Sequence, residues 1–247
     1  MARSYCSLFT ATVATVGLVA GSAQALQLDF EDLSHGDVVT MIGDVSIDAT
    51  NFNRRFDIAA AFDSNESRTS DPDLEASSRG SVWSGGNLEN EALGTFLILQ
   101  ENSDNCSGGT CSDPDDEGRR PAGSIELTLG TPVFDFGFDL VDLEDAVLEA
   151  TTITFFDGDA SVVVAVGDFL DPSSPLFDPT IELGNNYANR FEAITAASVG
   201  LDLFDRVLFN LGGSTAIDNL NGTVIPEPGS ALLIGLGLAG LGMRRRV

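Results

Sequence analysis

Residues 133–140 read Val-Phe-Asp-Phe-Gly-Phe-Asp-Leu. This period-two alternation predicts a strand with Phe134, Phe136, Phe138 and Leu140 on a buried face and the aspartates on a wet one. Comparable runs predict strands over 27–30, 52–62, 95–100, 124–129, 151–156, 161–166, 190–194, 206–211 and 215–220. Turn signals separate them: Gly85-Gly86-Asn87, Gly130-Thr131-Pro132, Asp157-Gly158 and Gly212-Gly213-Ser214. Only 142–150 fits a helical period, for about two turns, and no internal repeat is visible. Many short strands with short connections predict an all-β fold, an antiparallel β-sandwich of jelly-roll-like form that buries one face of each sheet.

The two ends break this pattern. Arg3 precedes an apolar stretch over 8–20, and Ala23-Gln24-Ala25 supplies the small-x-small pattern cut by signal peptidase. The mature chain is therefore expected to begin at Leu26. At the other end Pro226-Glu227-Pro228 is followed by an apolar run and then by Arg244, Arg245 and Arg246. Counted over 225–243, that run has 19 residues, including two prolines and five glycines. It is close to the roughly 17–25 residues a membrane helix needs. The basic flank places the C-terminus in the cytoplasm and the body outside. The expected organisation is a signal peptide (1–25), a β-sandwich ectodomain (26–221) and a C-terminal tail (222–247) with a single membrane helix over about 229–243.

Ile225-Pro226-Glu227-Pro228, the Gly/Leu/Ala-rich segment and the closing arginines together resemble a PEP-CTERM sorting domain, with Ile in place of the usual Val before the first proline. The resemblance implies an exported protein whose tail enters the inner membrane of a Gram-negative bacterium. There an exosortase would cut near the Pro-Glu-Pro and pass the body to the cell surface or the exopolysaccharide matrix.

Charge narrows the partners. The chain has no lysine and a formal charge of −26; the body up to Ile225 holds 8 arginines against 37 acids, or −29. Such a surface repels nucleic acid and anionic lipid. Most carboxylates lack a side-chain counterion, so they are solvated, screened by salt or neutralised by metal. Salt adaptation of the whole surface is one explanation and specific calcium sites are the other. The loops 63–79 and 101–120 each contain an Asp-Pro-Asp core, Asp71-Pro72-Asp73 and Asp113-Pro114-Asp115. Proline stiffens each turn while the flanking carboxylates project together, as suits a cation that takes about six to eight oxygens. The helix-flanked EF-hand spacing is absent, so the site would be assembled from separate loops: Asp71 and Asp73 with Asp115 and Asp116, and with Asp63, Glu101 or Asp142 as additional ligands.

Cys6 falls in the leader, leaving Cys106 and Cys111 in the mature chain. In an oxidising compartment this spacing reads as a disulfide; no second Cys or His pair completes a zinc site. His35 is the only histidine and lacks a nucleophile elbow, which argues against a Ser-His-Asp hydrolase. Without lysine no phosphate-binding P-loop can form. Trp83 and Tyr187 lie in polar, glycine-rich surroundings and are the candidates to stack on sugars, with loop packing as the competing role. Asp218-Asn219 either closes a strand or takes an ion. In order, Phe62-Asp63-Ser64, Asp71-Pro72-Asp73-Leu74, Leu97-Ile98-Leu99-Gln100-Glu101, Pro114-Asp115-Asp116, Leu140-Val141-Asp142-Leu143-Glu144 and Ala216-Ile217-Asp218-Asn219-Leu220 resemble the β-rich bodies of other proteins with such tails, a resemblance that implies no assigned activity. The expectation is a non-enzymatic surface or matrix protein that binds polysaccharide with calcium. The competing expectations are a purely structural matrix component and an extracellular glycoside hydrolase.

Overall fold

The computed structural model describes residues 25–76, 82–103 and 106–224. The strands are β1 (Ala25–Leu28), β2 (Met41–Ile42), β3 (Val45–Asn51), β4 (Ala59–Asp63), β5 (Thr95–Leu99), β6 (Cys106–Ser107), β7 (Thr110–Cys111), β8 (Gly123–Val133), β9 (Asp135–Val141), β10 (Thr152–Asp157), β11 (Ala160–Ala165), β12 (Ala188–Thr195), β13 (Phe204–Leu211) and β14 (Ala216–Thr223). All their pairings are antiparallel.

One sheet runs β12-β9-β14-β5-β4, with β1 added along the far half of β14; the other runs β11-β10-β13-β8-β3-β2. From β5 onward, leaving aside the small β6–β7 hairpin, the chain changes sheet at each step except in the β10–β11 hairpin. The strand orders β12-β9-β14-β5 and β11-β10-β13-β8 that result are those of a jelly roll. Between the sheets lies the main core, in which Phe136, Phe138, Phe155, Phe204 and Phe209 are fully buried. Phe138 stacks on Phe191 at 5.1 Å and meets Phe209 edge-on at 5.2 Å, the geometries that aromatic quadrupoles favour.

A second core lies on the outer face of the first sheet. Leu74, Trp83, Leu88 and Leu93, from the long β4–β5 connection, pack on Ala60, Phe62, Phe96, Ile98, Val141, Ala188 and Ala216. The first sheet is therefore covered on both faces at this end. That is why β4 (Ala-Ala-Ala-Phe-Asp) and β5 (Thr-Phe-Leu-Ile-Leu) are continuous apolar runs rather than alternating ones.

Several expectations are corrected. Residues 52–55 form bends and 56–58 are irregular, with Phe52 55% exposed, and the strand begins only at Ala59. The strand β3 is absent from the predicted set, although Val45, Ile47 and Ala49 alternate with polar residues; its short side chains make a weak signal. Phe134 is not on the buried face. It sits between β8 and β9, where the backbone turns it outward, and is 44% exposed. Nor is the opposite face wet, since Asp139 is fully buried against Arg190. Over 142–150 the structure has a turn closed by the Glu149 N–H donating to the Asp145 carbonyl, not a helix. Among the described residues no helix is long and apolar enough to cross a membrane; the predicted span 229–243 lies outside them.

Candidate acidic cleft

The sheet edges bring both Asp-Pro-Asp loops to one place. Residues 113–117 are laid against the end of β5: Glu101 N–H donates to the Asp115 carbonyl (2.7 Å), and Glu117 N–H to that of Leu99 (2.9 Å). The buried amide of Gln100 donates to the Asp113 carbonyl and accepts from Asp115 N–H, clamping the turn from inside. The other loop docks through its carboxylate, since Asp71 Oδ2 accepts from Asp116 N–H at 3.3 Å. Asp142, at the end of β9 in a left-handed conformation (φ 64°), comes in from a third element.

The result is a cleft of about 340 Å³ lined by Asp71, Asp73, Glu101, Asp115, Asp116, Asp142, Glu144 and Ser214, with Arg119 and Arg120 at its rim. Of the predicted ligand residues, Asp63 alone does not line it. Its Oδ1 closes a turn by accepting from Asn65 N–H, while its own N–H donates to His35 Nδ1.

Ser214 is an addition to the predicted set. Its Oγ lies 2.8 Å from Asp116 Oδ2, 3.0 Å from Asp116 Oδ1 and 2.8 Å from Asp142 Oδ2. Its only signal in the sequence is its place after Gly212-Gly213, where a strand is expected to turn. Asn186 is a second addition. Its side-chain amide donates to the carbonyls of Asp73 and Glu75, its backbone N–H donates to Asp142 Oδ1, and its Oδ1 accepts from Ser84, so one asparagine ties three loops around the cleft.

Electrostatically the acids of the cleft outnumber its arginines. Burial, with Asp71 and Glu101 nearby, pushes the Asp115 carboxyl up to about 7. Burial pushes Asp142 up to about 7 as well, against the hydrogen bonds from Asn186 and Ser214, with Asp73 and Asp71 adding to the rise. Asp116 is driven well above the usual carboxylate range by burial and then by Asp71, and Asp71 itself is raised by burial. Of the two rim arginines, Arg120 is already engaged with Glu144 and with buried Glu149, and the cleft's Glu101 is paired with Arg54. Among the described residues, no three acidic, histidine or cysteine side chains already stand in ligating positions around one point.

The predicted disulfide is present, with Cys106 and Cys111 2.02 Å apart at sulfur, joining β6 to β7. Trp83 is not available to a sugar. It is fully buried beside Phe96, and its indole N–H donates to the Glu91 carbonyl at 2.9 Å. An apolar ring beside an open apolar sheet face gains more by covering that face than by standing in water. The Tyr187 ring lies against two glycines; a Cβ added at Gly85 would stand 2.4 Å from it and one at Gly184 3.0 Å. It holds loops together and is only partly exposed.

Residues 224–246 match the PEP-CTERM protein-sorting motif. This is an exported protein whose tail is sorted at the membrane, with exosortase as its processing partner, for display at the surface. The tail residues Pro226, Glu227, Pro228, Arg244, Arg245 and Arg246, and the leader with Ala23, lie outside the described residues; Ala25, the predicted cleavage residue, opens β1. No curated protein matches the chain.

Proposed function

We propose that the exported body is a non-catalytic surface or matrix module in which calcium closes the acidic cleft and offers its remaining coordination positions to the hydroxyls of a polysaccharide. The observation that carries this is the Ser214 hydroxyl between Asp116 and Asp142. A hydroxyl has one hydrogen, so it can donate to only one of the two carboxylates. The other contact, 2.8 Å between oxygens, is repulsive unless a proton or a cation sits in the cluster. With Asp71, Asp73 and Asp115 alongside, a divalent cation offsets more charge than one proton does. Carboxylates on separate loops suit calcium's irregular coordination better than the strict octahedron of magnesium. Trp83 and Tyr187 play no part in this reading, because both are held in packing roles. Binding would instead run through the ion and the rim.

The test is a thermal melt of the purified chain in chelator, in calcium and in sodium chloride of equal ionic strength. A native-state ligand at about a hundred times its Kd adds roughly 2.7 kcal/mol, so calcium should raise Tm well beyond the sodium control. Equal rises would assign the acids to general salt adaptation and leave a purely structural role. Polysaccharide retention that requires calcium would support the glycan part. Turnover of polysaccharide that is lost in Asp115→Asn would instead select a glycosidase.

A further inference from the structure

On the outer face of the first sheet, away from the cleft, two acids stand side by side with an arginine on the far side of the first. Asp139 on β9 is in register with Asp218 on β14. Along β14, Ala216 belongs to the outer core and Ile217 to the inner one, so strand alternation puts Asp218 outside with Ala216. Both aspartates are fully buried. Arg190, opposite Asp139 on β12, is spent on the first: its Nε and Nη2 reach the Asp139 carboxylate at 3.0 and 2.9 Å, and its Nη1 lies 3.4 Å from Glu91. Asp218 receives a 3.2 Å bond to Oδ2 from the Asn219 side-chain amide, which also donates to Asp139 at 2.8 Å, and a backbone hydrogen bond from Asn219.

Asp218 Oδ1 has no hydrogen-bond partner among the described residues. As a carboxylate the oxygen lacks a donor, so without a proton or a cation a buried polar atom stands unsatisfied. The surroundings indicate what belongs there. The end of β1 adds Asp29 and Glu31, both exposed and both acting on the Asp218 carboxyl with the same sign as Asp139. Glu31 is fixed toward β5, where its Oε1 accepts from Thr95 N–H at 3.0 Å; Thr95 lies two residues from Leu97, the partner of Ile217 on β14. A water molecule could donate to Oδ1, but it brings no charge to a group of acids whose one arginine is already bound.

We infer that Asp218 forms the floor, and Glu31 and Asp29 the rim, of a second site for a hard divalent cation, separate from the cleft. A buried carboxylate oxygen with exposed carboxylates nearby supplies oxygens of the kind such an ion takes, although the three do not already stand in ligating positions around one point. The assignment does not depend on the cleft being a calcium site.

The test is calcium stoichiometry by calorimetric titration of the full chain, with calcium chloride as the probe and circular dichroism to verify folding. Asp218→Asn should bind one equivalent less than the parent, Asp116→Asn should lose a different one, and the double variant should lose both. If Asp218→Asn does not fold, the exposed rim supplies the test, since Glu31→Gln and Asp29→Asn should each weaken one class of site about tenfold or more. An Asp218→Asn chain that keeps every equivalent overturns the inference, as does one that merely melts higher with binding unchanged, which would mean that the position holds a water or a proton. Loss with Asp218→Asn and none with Asp116→Asn would uphold this site while removing the cleft reading.

Discussion

Asp116 and Asp142, from two different connections, meet through the single hydroxyl of Ser214, 2.8 Å from an oxygen of each. Because no arginine among the described residues pairs with Asp116, removing its charge should help the ion-free protein. Asp116→Asn is expected to raise stability in chelator by about 1–3 kcal/mol, the order of the penalty for an unsatisfied buried polar group. It should also abolish the stabilisation by calcium. Denaturant titration in both conditions checks the pair of outcomes.

The cleft also predicts a pH profile. Asp115 and Asp142 move from an ordinary value of 3.8 up to about 7 on folding. A raised carboxyl favours the native state while it is protonated. Its contribution is complete below the unfolded value and is lost as pH rises through the folded one. In chelator, stability should therefore fall between about pH 4 and pH 7. A tenfold change in a carboxyl's acidity corresponds to about 1.4 kcal/mol, so fully buried Asp142 accounts for a loss on the order of a few kcal/mol. Asp142→Asn, which suits the left-handed backbone there, should flatten the profile, and calcium should suppress it. Melts from pH 4 to 8 with and without chelator measure both effects.

Trp83→Ala empties a buried indole site in the outer core. The expected cost is about 3–5 kcal/mol, as for other large-to-small core changes. Calcium should still raise Tm by the parental amount. Loss of glycan binding in a folded Trp83→Ala chain would contradict the packing role.

Arg190→Leu leaves fully buried Asp139 without its counterion. Removing one partner of a buried pair costs about 3–5 kcal/mol because the other charge remains, and since Arg190 is itself 39% exposed the cost here should lie toward the low end. Adding Asp139→Asn should recover a large part of this, and a double-mutant cycle on urea midpoints reads out the coupling.

The disulfide between Cys106 and Cys111 closes a short loop, five residues apart in sequence. Loop-closure entropy assigns it about 2 kcal/mol. Reduction should lower the urea midpoint by that order without unfolding the sandwich, whose two sheets do not depend on the β6–β7 hairpin.

Much of the architecture is legible because it rests on short-range periodicity. Alternation alone marks β9 through Phe136, Phe138 and Leu140, β10 through Ile153 and Phe155, and β13 through Val207 and Phe209, and all of these are buried as it requires. Prediction fails where tertiary contacts override that period. Asp139 reads as a wet residue until Arg190 arrives from β12, and Trp83 reads as a loop aromatic until the open face of β4 and β5 is seen beneath it. The acidic cleft is half legible. The Asp-Pro-Asp turns advertise carboxylates held close together, but Asp63 and Asp142 look equally eligible until the fold sends one to a local turn and the other to the cleft. Ser214 and Asn186 carry no distinguishing pattern, because hydrogen bonding between distant loops leaves no period in a chain.

The sequence by itself determined the all-β class, the export tail and the shortage of cations, because these follow from composition, local order and side-chain alternation. Only the tertiary structure decided which acids share a site, which aromatics are covered, and that Asp218 is left with a bare buried oxygen. Those are properties of strand register and of loops brought together across the sheets, where residues such as Asp116 and Ser214, 98 positions apart, come within hydrogen-bonding distance.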